Sequence, residues 1–138
     1  MKTDCRLTVD DIQKRVVHKF PNSEVYVSDR STTLIYNSDI QKCILMIKIV
    51  MRMLNLLIPR SYKVHEWDCD DYAFEFKSVA NRLYPACAFG MVYVDMDDGN
   101  RHALNCYLDE FGKWHYIEPQ TFNVFDKATN YEPYLVII

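Results

Sequence analysis

Glycine is scarce: Gly90, Gly99 and Gly112 are the only three in 138 residues. A phosphate-cradling loop needs several close together, so nucleotide binding of that kind is excluded. The five cysteines, Cys5, Cys43, Cys69, Cys87 and Cys106, contain no C-x-x-C pair. That argues against a zinc or thioredoxin framework, and an odd number cannot all pair internally. The opening run Met1-Lys2-Thr3-Asp4-Cys5 has no apolar leader, so the expected compartment is the reducing cytoplasm. Repeats, low-complexity tracts and linkers are missing too, and no motif calls for a cofactor.

What is present is an ordinary globular composition: 49% hydrophobic and 25% charged, with aromatics high at 14%. The length fits one domain, residues 1–138. Charge is unevenly spread. Residues 1–68 carry 11 basic and 8 acidic side chains, whereas residues 69–138 carry 5 and 11. The acidic half would repel phosphates, so nucleic acid is not an expected ligand.

Thr8 followed by Asp11 reads as a helix start, and Val9 to Lys19 as a helix stopped by Pro21. The segments 24–27 and 32–36 read as two strands around a turn at 28–30. Ser38 is the expected cap of a helix over 39–57, stopped by Pro59. This helix is apolar over most of its circumference, with Gln41, Lys48, Arg52 and Asn55 as a narrow polar edge. Lys48 and Arg52 interrupt any membrane span. A central core helix and a subunit interface both fit, and a homodimer through 39–57 is the expected assembly. A third helix starts at Asp68-Cys69, with Tyr72, Ala73, Phe76, Val79, Ala80 and Leu83 at helical spacing, and ends at Pro85. Strands follow at 89–96, 101–109, 113–119 and 134–138, with turns at 97–100 and 110–112.

Cys69 falls on the buried stripe of the third helix, at its amino terminus. Exposed backbone N–H groups and the macrodipole there stabilise a thiolate, and the same groups can donate to an oxyanion. The turn at 110–112 pairs Asp109 with Lys113, so paired positions sum to 222. His102 and Glu118 are then diagonal neighbours, ~7–8 Å apart and able to meet. They share a face with Leu104, Cys106, Leu108, Trp114 and Tyr116. If the helix covers that face, thiol, imidazole and carboxylate converge, with the roles of nucleophile, base and orienting group.

Three segments, Trp67-Asp68-Cys69-Asp70-Asp71-Tyr72-Ala73, His102-Ala103-Leu104-Asn105 and Trp114-His115-Tyr116-Ile117-Glu118-Pro119, resemble the transglutaminase-like branch of the papain-like superfamily. They are most similar to the bacterial transglutaminase-like cysteine peptidases, over residues 66–121. The resemblance implies an α+β, papain-like (transglutaminase-like) core, with the nucleophile helix on an antiparallel sheet. Residues 66–138 would form that core, and 1–65 a helical and hairpin extension. It implies catalytic Cys69, His102 and Glu118 in a thiol protease or related hydrolase. Asp68 replaces the family's glycine before the cysteine and adds negative charge beside the thiol. Glu118 replaces its aspartate and is one methylene longer.

Trp67, Asp70 and Gln120 are the candidates for contacting substrate or an oxyanion: Trp67 as a lid over the helix start, Asp70 as a first-turn acid beside the site, and Gln120 as an amide donor. With them, the expected function is a cysteine-dependent acyl-transfer or amide-hydrolysing enzyme acting on a protein or peptide. The alternative is a non-catalytic binding or antagonist protein that recognises a ligand or partner in the same cleft. No metal is expected; Cys69, His102 and Asp70 are the weak alternative set. His18, His65 and His115 have no partners at ligand spacing and read as solvated surface.

Overall fold

The computed structural model describes residues 6–27, 31–61, 63, 67–85, 87–126 and 131–138. The turn expected at 28–30, Cys5 and His65 lie outside the described residues. In chain order the elements are β1 (Arg6–Thr8), α1 (Val9–Lys19), β2 (Glu24–Tyr26), β3 (Ser31–Thr33), α2 (Asn37–Leu57) and α3 (Cys69–Leu83), followed by β4 (Phe89–Met96), β5 (Arg101–Leu108), β6 (Trp114–Ile117), β7 (Val124–Phe125) and β8 (Tyr131–Ile137).

Local chemistry explains where the helices begin. Asp11 Oδ2 accepts from the Thr8 N–H at 3.2 Å, and the Asp11 N–H donates back to Thr8 Oγ1 at 3.3 Å. This reciprocal cap starts α1 at Val9. At α3 the Asp68 N–H donates to Asp71 Oδ2 at 3.2 Å. Helix α2 starts two residues before the expected position. Its cap is Tyr36, with no side-chain hydrogen bond, so Ser38 is not the capping residue.

The main sheet has six strands in the order β2-β8-β4-β5-β6-β7. The β4–β5 and β5–β6 hairpins close over turns containing Gly99 (φ 82°) and Gly112 (φ 76°), where a Cβ would be strained. The amino-terminal strands correct the expected hairpin. β2 pairs in parallel with β8, while β3 pairs antiparallel with β1 in a separate two-stranded sheet. The sheet is therefore mixed rather than antiparallel.

Period-two alternation sends side chains to two cores. On one face, Ile12, Val16 and Phe20 of α1 meet Val92, Val94, Leu104, Cys106, Leu108, Trp114, Tyr116 and Val136. On the other, Ile40, Ile44, Ile47 and Met51 of α2 and Phe76 and Val79 of α3 meet Phe89, Tyr107 and Ile117. The first 65 residues thus supply a strand of the sheet and cover for both faces. Among the described residues, no helix is long and apolar enough to cross a membrane.

Candidate functional site

Helix α3 is fixed to the sheet by a buried amide. Asn105 Nδ2 donates to the Ala73 carbonyl at 3.0 Å and to the Gly90 carbonyl at 3.1 Å. Ala73, Met91 and Ala103 form the contact beneath, and Cys69, Tyr93 and Ile137 pack at its margin. Cys69 is the first residue of α3 and is half-buried. Lys77 Nζ donates to the Phe89 carbonyl at 3.0 Å and ties down the next turn of the helix.

The hairpin register is the expected one. Asn105 pairs with Ile117, Cys106 with Tyr116 and Leu108 with Trp114. The face is not. Leu104, Cys106, Leu108, Trp114 and Tyr116 lie against α1, whereas α3 covers the opposite face through Met91, Ala103 and Asn105. His102 and Glu118 nonetheless meet, with His102 Nε2 and Glu118 Oε2 2.7 Å apart. His102 is the second residue of β5, and Glu118 follows the last residue of β6.

The residues after Glu118 form a tight turn. The Phe122 N–H donates to the Glu118 carbonyl at 2.7 Å, and the Glu118 N–H to the Asn123 carbonyl at 3.0 Å. Phe122 takes φ 66°, an uncommon conformation for a residue with a side chain. The Gln120 backbone N–H reaches Glu118 Oε1 at 3.3 Å. Both carboxylate oxygens are thus engaged, one by the imidazole and one by the backbone. The expected role of Gln120 as an amide donor rests on its side chain, which is exposed.

His102 is held protonated well above its usual range, up to about 9. The largest cause is its interaction with the Cys69 thiol, followed by its hydrogen bond to Glu118; burial opposes both. Because Glu118 takes Nε2, the other ring nitrogen is the one left for the thiol. The structure therefore brings Cys69, His102 and Glu118 together, with His102 interacting with both. Tyr131 lies beside the imidazole, with ring centroids 6.3 Å apart.

Around the thiol the charge is negative. Asp70 is pushed up, first by its hydrogen bond to Asp68 and then by burial. Donor atoms of Asp68, Cys69 and Asp70 lie within 4.8 Å of one another and could hold a cation. Trp67 stands at the other side of the helix start. It stacks edge-on with Tyr72 at 5.6 Å and lies 4.0 Å beneath the Arg60 guanidinium. Trp67, Tyr72, Gln120, Phe122, Lys48 and Arg52 are among the walls of a cavity of about 300 Å³. The cavity contributions of Lys48 and Arg52 were not legible in the sequence, where both read only as the polar edge of a helix.

His115 corrects another expectation. It is buried, not solvated: Nε2 lies 2.9 Å from Asp109 Oδ2 and Nδ1 lies 2.6 Å from Asp126 Oδ1. Its ring stacks on Tyr107 at 4.7 Å. His18 is exposed, as expected.

No family model matches the chain, and no curated protein matches it by sequence. Solved structures do match. A PSL1a–E64 complex aligns with TM-score 0.75 and 18% identity, over 96% of this chain and 50% of that one. Polyporus squamosus lectin bound to the human-type influenza-binding epitope Neu5Aca2-6Galb1-4GlcNAc aligns with TM-score 0.71 and 18% identity, over 96% and 49%. The chain spans about half the length of these structures, and at this identity the likeness is one of fold. It overturns the expected membership of the transglutaminase-like cysteine peptidases. The papain-like core and the thiol-protease and hydrolase assignments drawn from that resemblance fall with it. Their place is taken by the three-helix, mixed six-stranded architecture shared with half of a lectin chain. The three short segments misled because a cysteine at a helix start and a histidine on a strand fix local chemistry, not topology.

Proposed function

We propose that this chain is a ligand-recognition domain and that its ligand sits in the cleft at the amino-terminal end of α3. The observation that carries this reading is the meeting of Cys69, His102 and Glu118 at the start of α3, while Trp67, Tyr72, Pro119 and Gln120, close to them along the chain, are walls of a cavity. A few convergent polar groups against an aromatic wall are what a small-ligand site requires. The two similar structures are each named with a small ligand, E64 in one and a trisaccharide epitope in the other, which supports recognition as the general role. E64 is the first probe. Incubation with it should protect Cys69, and not the buried Cys43, Cys87 and Cys106, from iodoacetamide as mapped by mass spectrometry. Unaltered labelling of Cys69 by iodoacetamide after E64 treatment would remove support for the cleft.

A second reading uses the same side chains chemically, and the bridging of thiol and carboxylate by His102 favours it. In cysteine-dependent acyl transfer, His102 would hold the proton given up by Cys69 as an imidazolium, steadied by Glu118. The sulfur would attack a carbonyl to give a thioester, and His102 would return the proton to the leaving group. Alkylation kinetics separate the two readings. Acyl transfer requires fast modification of Cys69 at neutral pH that collapses in His102→Ala. A pure recognition site gives slow modification that rises only in the ordinary thiol range and is unchanged by that substitution.

A further inference from the structure

The cavity beside the thiol has an unusual charge for its neighbourhood. Asp68 and Asp70 lie beside Cys69, whereas α2 contributes Lys48 and Arg52 to the cavity wall. Among the described residues neither cation has a carboxylate partner; Lys48 Nζ rests over the Phe122 ring at 5.3 Å. The remaining charged wall residue is Glu75, whose carboxyl burial pushes up, opposed by Arg60. Two cations one helical turn apart, with no carboxylate partner among the described residues, therefore share the cavity with an aromatic wall, and the wall residues Pro119 and Gln120 continue directly from Glu118.

We propose that this cavity is a subsite for a carboxylate group of the ligand, held by Lys48 and Arg52 while the ligand's body lies against Trp67 towards Cys69. The inference rests on the cleft reading above and deepens it by naming the ligand's chemistry. Arg52 supplies a planar fork suited to a carboxylate, and Lys48 supplies a point charge. The aspartates at the α3 terminus disfavour a second negative group there, so the anionic end is directed into the cavity and the neutral end to the thiol.

The test is calorimetric titration of the full chain with N-acetyl-glutamate α-methylamide and its isostere N-acetyl-glutamine α-methylamide, with protection of Cys69 from iodoacetamide followed in parallel. The expected result is about tenfold tighter binding of the acid, weakening as salt is raised. The preference should disappear in Lys48→Gln/Arg52→Gln, and it should shrink in Arg52→Gln alone, an exposed position, if the double variant fails to fold. Glutarate distinguishes the sources. Binding equal to the peptide probe assigns a free small acid, weaker binding assigns an acidic peptide side chain, and either supports the subsite. Equal affinity for acid and amide, with Cys69 protected by both, overturns the subsite and leaves the cleft. Failure of both probes to bind while E64 still protects Cys69 also overturns the subsite alone. Failure of all three overturns both readings.

Discussion

Raising the pH should weaken the fold by releasing His102. Its folded-state value of about 9 lies above the ordinary 6.5. A group raised on folding contributes stability that is fully present below its unfolded value and is lost as pH rises through the folded one. The side chain is 17% exposed, so solvent screens the interaction little. At ~1.36 kcal/mol per unit, the contribution is about 3 kcal/mol near pH 6 and nearly gone by about pH 9.5. Urea unfolding followed by far-UV circular dichroism at intervals across that window measures it. The buried thiols complicate the alkaline end. Cys87 is pushed up to about 11 and Cys106 to about 12, both by burial, so each also disfavours the folded state once its unfolded counterpart ionises. The comparison with His102→Ala removes that background, because both proteins keep those thiols. The difference in stability between wild type and His102→Ala should therefore shrink by about 3 kcal/mol from pH 6 to 9.5. A constant difference across the window would refute the account, since it would mean that His102 contributes packing and no charge.

Two other outcomes follow from the packing. At Gly90 an added Cβ would lie 2.8 Å from the Ile137 carbonyl oxygen and 3.0 Å from Cys106 Sγ, so Gly90→Ala should lower stability by ~1–3 kcal/mol in urea titrations. On α2, Leu45, Met46, Ile49, Met53, Leu56 and Leu57 are exposed, the last two at 81% and 78%. A second copy is the expected cover for this stripe, and a standard interface removes on the order of 800 Å² from each protomer. Light scattering coupled to size exclusion should show a dimer that Met53→Glu converts to a folded monomer; a monomer mass at tens of micromolar removes the idea.

Local signals in the chain were strong enough to place the helices. Thr8 with Asp11 marked the start of α1, and Pro21 and Pro85 marked helix ends correctly, because caps and prolines act within one turn of chain. The β5–β6 register was legible for the same reason: a short turn leaves one pairing, and Asn105 meets Ile117 as counted. Pairing across long separations was not. Glu24 meets Leu135 in parallel, a partner no nearby residue specifies. Nor could alternation say which face α3 would cover, since both faces of β5 are buried. His115 illustrates the limit. The counted register already set it opposite Tyr107, on which it stacks, but its partner Asp126 arrives from beyond β7. A histidine read only against its neighbours looks unpartnered.

The candidate site shows how such distant partners change the chemistry of a local motif. Read locally, three aspartates flank Cys69 and should oppose a thiolate. In the fold, Asp70 shares a hydrogen bond with Asp68 and holds its proton to higher pH than an ordinary carboxylate, so the pair carries less negative charge than its formula as pH falls. The imidazole adds the compensating positive charge from β5, and Glu118 keeps it there. The helix start, the hairpin and the turn at 118–123 each contribute one element of this balance. Removing Glu118 should therefore alter the protonation of His102 before it alters anything at the sulfur. Glu118→Gln keeps the hydrogen-bonding shape but not the charge. It should move the alkaline stability loss to lower pH while leaving the mixed sheet intact.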